Sequence, residues 1–118
     1  GTASKDAEMV QRVGLRISKA ITDYYAQKGL ASELNGYKWE FNLVDSKEVN
    51  AWCMPGGKIV VYTGLLPITK NEDALAVVMG HEIAHTVAKH SVERASKGAL
   101  LQTGTSLIDI FTYLKFRS

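Results

Sequence analysis

Between Ala74 and Ala88 the chain runs Ala-Leu-Ala-Val-Val-Met-Gly-His-Glu-Ile-Ala-His-Thr-Val-Ala, and its only ionisable residues are His81, Glu82 and His85. A helix that is apolar nearly all round is a buried helix. Ionisable groups inside such a helix are costly unless something compensates them. Three of them within five residues therefore constrain the fold more than any other stretch. On an α-helix His81 and His85 lie about 40° apart on one face, one turn above the other. Glu82 falls on the next row, offset by about 100° from His81.

Two imidazoles one turn apart can grip a single metal ion. The run is H-E-x-x-H, the zinc-metallopeptidase pattern, in which the histidines bind zinc and the glutamate is the general base toward a water. Chance supplies these three fixed positions in a chain this short well under about 1% of the time. The bland alternative is a core helix with incidental histidines. The spacing points instead to Zn2+ on His81 and His85, with Glu82 as the catalytic residue.

A catalytic zinc site normally has three protein ligands and an open position. His90 is the nearest further candidate, but on a continuous helix it lies about 180° from His81, so it reads as a surface or helix-end residue. The metzincin pattern needs Gly and His where this chain has Ala88 and Ser91. Glu93 sits about 12 Å further along the same helix than His85 and cannot share the ion. Asp109 could fold back to the site. Cys53 could join the two histidines in a structural or latent metal site, since thiolate suits zinc, although burial is the ordinary fate of a lone cysteine. The remaining reading is that the chain stops short of its third ligand.

Length bounds the answer to one domain or part of one, residues 1–118. With a net charge of +2 and basic residues spread along the chain, nothing favours nucleic acid as a partner. A single cysteine excludes an internal disulfide. No apolar run is long enough to span a bilayer, and any leader or lipid anchor is expected upstream of residue 1.

The periodicities predict an α+β fold. Residues 3–28 read as an amphipathic helix with Val10, Val13, Ile17, Ile21 and Tyr24 inward, Ser4 as N-cap and Gly29 as the stop. Three short strands follow, at 39–43, 49–54 and 58–63, with Pro55-Gly56-Gly57 turning between the last two. Thr69 and Glu72 form a capping-box pattern for the buried motif helix, which is expected from about Lys70 to Ser96. A further helix is expected over 99–115, weakened at Thr103-Gly104-Thr105.

The runs Asn50-Ala51-Trp52-Cys53-Met54-Pro55-Gly56-Gly57-Lys58-Ile59, Thr63-Gly64-Leu65-Leu66, His81-Glu82-Ile83-Ala84-His85 and His90-Ser91-Val92-Glu93-Arg94 together carry a family resemblance. Over residues 39–94 the chain resembles the catalytic domain of HtpX- and CAAX-prenyl-protease-type gluzincins, peptidase family M48, and is most similar to its periplasmic lipoprotein and Oma-like branches. The resemblance implies a zincin-like fold and a metalloendopeptidase of protein quality control. It places an N-A-x-x-x-P-G-G strand over the site, and a third ligand from a Glu in a later E-x-x-x-D helix. That helix lies beyond Ser118, so residues 1–118 read as a partial catalytic domain. An extended or unfolded polypeptide substrate is then expected to add as a strand beside Asn50, Ala51, Trp52 and Cys53. The setting implied is extracytoplasmic, periplasmic or membrane-associated, the last through an N-terminal anchor. Apolar surface left by a partial domain would favour a homodimer. The competing reading is a catalytically silent fragment, or a chaperone- or adaptor-type binding domain on the same fold.

Overall fold

The computed structural model describes residues 2–95 and 105–106. It is an α+β arrangement: helix α1 (Thr2–Gln27), strands β1 (Glu40–Val44), β2 (Ala51–Met54) and β3 (Lys58–Tyr62), a short turn of helix α2 (Leu66–Thr69), the long helix α3 (Glu72–Ala95) and a two-residue strand β4 (Thr105–Ser106). Among the described residues no helix is long and apolar enough to cross a membrane.

Helix α1 buries Val10, Val13, Ile17, Ile21 and Tyr25. Tyr25 takes the inward place expected of Tyr24, because Ile21 to Tyr25 is the i, i+4 step that keeps the stripe on one face, whereas Tyr24 stays 55% exposed. The helix already includes Thr2, so Ser4 sits inside it and is no N-cap. Its end is as expected. Gly29 takes φ +72°, and the amide of Leu30 reaches back to the Tyr25 carbonyl at 2.8 Å.

The described strands lie in the order β1-β3-β2-β4. β3 is central, parallel to β1 with Phe41 opposite Ile59, and antiparallel to β2 with Trp52 opposite Val60. Its dense β-branching suits that place, and Ile59 and Val61 are buried. Gly56 and Gly57, at φ +87° and +97°, make the β2–β3 turn that other residues would strain. Amides of Lys38 and Glu40 donate to the carbonyls of Gly56 and Gly57, which leads β1 in alongside β3.

Two sequence expectations fail in the second half. The cap of α3 is Asn71, whose Oδ1 accepts from the Ala74 amide at 2.8 Å. Thr69 is absorbed into α2, where its hydroxyl donates to the Leu66 carbonyl, and Lys70 at φ +72° separates the two helices. Residues Thr105 and Ser106 are extended and pair with β2, not helical as the 99–115 expectation had it. Thr-Gly-Thr-Ser is poor helix sequence, and the open edge of β2 offers its backbone a ladder. The rest of that expected helix lies outside the described residues.

One core joins the layers. α1 packs on both β1 and α3, and Phe41, Ala51, Cys53, Ile59 and Val61 of the sheet meet Leu75, Met79, Ile83 and Val87 of α3 there. Gly14 lets α1 and β1 approach closely: a Cβ there would come within 2.6 Å of Phe41 Cδ1.

Candidate metal centre

α3 carries the whole H-E-x-x-H run inside one helix. It is not buried all round. Leu75, Met79, Glu82, Ile83, Thr86, Val87 and His90 face the core, while Val77, His81, Ala84, His85, Ala88 and Val92 face out, Val77 at 71% exposed. The helix therefore has two apolar faces, one of which is open among the described residues.

His81 and His85 share that open face. Their ring centroids are 4.6 Å apart at an interplanar angle of 69°. Both line a groove of about 750 Å³ between α1 and α3. Across the groove stand Arg16, Ile21 and Tyr24 of α1. No local signal in the sequence distinguishes these three, because only the packing of α1 on α3 brings them to the imidazoles.

Glu82 lies one row round, on the core side, and is 2% exposed. Its Oε2 has no hydrogen-bond partner among the described residues. Burial raises its pKa above the ordinary 4.5, against a smaller opposing pull from His81 and then His85. A buried carboxylate oxygen without a partner is rare and demands an explanation. Thr86 does not supply one, since its hydroxyl donates to the Glu82 backbone carbonyl at 2.8 Å.

The donor set fits a zinc-like cation in kind: two imidazoles on an open face, with an unpaired carboxylate oxygen on the adjoining row. It is two ligands and not three. Among the described residues no group of three His, Cys, Asp or Glu side chains could hold a metal. Cys53 thus does not join the histidines. It is buried in the core, and desolvation pushes its thiol up to about 12, which disfavours the thiolate a metal needs. His90 is 3% exposed, not the surface residue expected, because it lies seven positions after Ile83 on the inward face. Asp109 lies outside the described residues.

Asn50, Ala51, Trp52 and Cys53 do not line the α1–α3 groove. The side chains of Ala51 and Cys53 enter the core, and Trp52 is half-buried with its Nε1 unpaired among the described residues. Asn50 folds its Oδ1 onto the Ala51 amide at 2.8 Å.

Comparison with known proteins follows the same lines. The profile of Peptidase family M48 matches residues 7–116. The chain is 40% identical over 100 residues to Mitochondrial metalloendopeptidase OMA1 of Arabidopsis thaliana, covering 82% of this chain and 19% of that protein. It is 40% identical over 80 residues to the protein of the same name from Schizosaccharomyces pombe, covering 68% and 23%. To the Beta-barrel assembly-enhancing protease of Escherichia coli it is 36% identical over 74 residues, covering 59% and 15%. The chain spans about a fifth of the length of these curated relatives. No solved structure shows significant similarity to it.

Proposed function

The chain belongs to peptidase family M48, and from that premise we propose that it carries the metal and general-base residues of a zinc-dependent endopeptidase acting on extended or unfolded polypeptides. His81 and His85 would hold the ion, with a third ligand from outside the described residues. Bound there, zinc would supply the Lewis acidity that lets a water attack a peptide carbonyl near neutral pH.

Glu82 takes a proton from the attacking water and delivers it to the departing amine nitrogen. The C–N bond breaks, the amine leaves with that proton, and the acyl carbon keeps the water's oxygen as a carboxyl group, whose remaining proton passes to the amine or to solvent to leave a carboxylate and an ammonium. The observation that carries this reading is the unpaired, buried Oε2 of Glu82 on the row beside the two paired imidazoles. Burial also makes it a stronger base than an exposed glutamate, in the direction proton transfer near pH 7 requires. The substrate would lie extended along β2 at Asn50–Cys53, its backbone read by backbone. A membrane-associated or extracytoplasmic setting, periplasmic in a bacterium, belongs to the same proposal.

One observation favours a second reading, a catalytically silent chaperone- or adaptor-type domain: no third ligand joins His81 and His85 among the described residues. Glu82→Gln separates the two. An enzyme loses roughly 10²–10⁴-fold in turnover of an unfolded protein while retaining zinc. A binding domain shows no turnover to lose, and its polypeptide affinity is unmoved.

A further inference from the structure

The outer edge of β2 is already in use. In an antiparallel strand each residue turns both its N–H and its C=O to the same side, and neighbours alternate. The Tyr62 amide donates to the Asn50 carbonyl at 3.1 Å, so Asn50 and Trp52 face β3. Ala51 and Cys53 therefore turn their backbone groups to the outer edge. Neither is left open. The Ala51 amide is held by Asn50 Oδ1 at 2.8 Å, and Cys53 is opposed by Thr105 of β4, with Ser106 opposite Trp52.

We propose that β4 is a built-in competitor for the extended polypeptide that adds to β2, so that substrate gains the edge only by displacing Thr105 and Ser106. This rests on the strand-addition reading above. Three features make displacement feasible. Among the described residues β4 meets the outward backbone groups of Cys53 alone, whereas an incoming strand can take those of both Ala51 and Cys53. Asn50 Oδ1 already occupies the place at the Ala51 amide that a carbonyl of such a strand would take, and a side-chain amide swings aside where a backbone cannot. The Trp52 indole N–H is buried without a partner among the described residues, so the closed arrangement is incompletely satisfied.

The test is equilibrium binding of fluorescein-labelled β-casein, an unfolded polypeptide, to the unsubstituted chain, Thr105→Pro and Thr105→Val. Proline removes the amide that pairs with the Cys53 carbonyl, while valine keeps it. Thr105→Pro is expected to bind casein about three- to tenfold more tightly, the range one backbone hydrogen bond supports. Thr105→Val should match the unsubstituted chain. Amide exchange gives a reading that needs no substitution. Saturating casein should strip protection from the Thr105 amide and leave that of Cys53 intact. If casein strips Thr105 protection but Thr105→Pro binds no more tightly than Thr105→Val, the competitor is refuted and strand addition stands, whereas casein bound with Thr105 still protected lies elsewhere and overturns both. Casein bound by none of the three would overturn strand addition and the competitor with it.

Discussion

Gly14 is where the packing of α1 on the sheet is most exacting. In Gly14→Ala the new methyl would come within 2.6 Å of Phe41 Cδ1, and closer still to Cγ and Cδ2. Carbon atoms prefer about 3.5–4.0 Å, so ring and helix must part by about 1 Å. The ring has little freedom to yield. Phe41 is 6% exposed, lies parallel to the Trp39 ring at 8° with centroids 6.4 Å apart, and its carbonyl accepts from the Gln11 side chain. Overpacking of this kind costs about 1–3 kcal/mol, and contact with the fixed base of a ring belongs at the upper end. Against it, exchanging Gly for Ala inside a helix gains about 1 kcal/mol. The balance is a loss of about 1–2 kcal/mol, or about 4–8 °C in Tm for a domain of this size. Urea melts followed by circular dichroism would measure it. Adding Phe41→Leu should return part of the loss, since the obstructing ring is gone. A rise in stability for Gly14→Ala alone, of the size helix propensity provides, would refute the close approach of α1 to β1.

Asn71→Ala should cost about 1 kcal/mol by freeing the Ala74 amide, whereas Asn71→Asp should be nearly neutral; equal loss from Thr69→Ala would contradict the cap assignment. With metal removed by a chelator, Glu82→Gln should stabilise the chain at pH 7.5. The folded-state pKa of Glu82 stands above its ordinary 4.5, so the folded state binds the proton more tightly than the unfolded state does. Stability conferred by the protonated form is therefore lost as pH rises from about 4.5 through the folded value. Glutamine escapes that loss. The variant should be the more stable at pH 7.5 and draw level near pH 4 in urea midpoints. A gap that does not change with pH would count against the burial of Glu82.

What could be read from the sequence was whatever rests on local periodicity. The stop of α1 at Gly29, the three strands and the one-turn stacking of His81 over His85 each follow from residues close together in the chain. What could not be read depends on distant partners. Nothing in Trp39–Val44 says that β1 runs parallel to β3 and outside it, and nothing in α1 marks Arg16 or Tyr24 as facing the imidazoles. The exchange of Tyr24 for Tyr25 and the inward turn of His90 are one-row errors on a helical wheel. They come from following a stripe without knowing where the neighbouring element sits. Thr69 and Asn71 are both competent caps, and the left-handed turn at Lys70 decided between them. The Thr105–Ser106 strand was hidden because a short polar segment takes its conformation from the edge it meets.

Joint coordination of a divalent cation by His81 and His85 is open to direct test by zinc calorimetry on single-histidine variants. The expected result is one zinc site weakened at least about 100-fold by either His81→Ala or His85→Ala, more than loss of an outer-shell partner costs, and preserved in His90→Gln. Zinc bound as tightly by both alanine variants as by the unsubstituted chain, or lost only with His90, would contradict it.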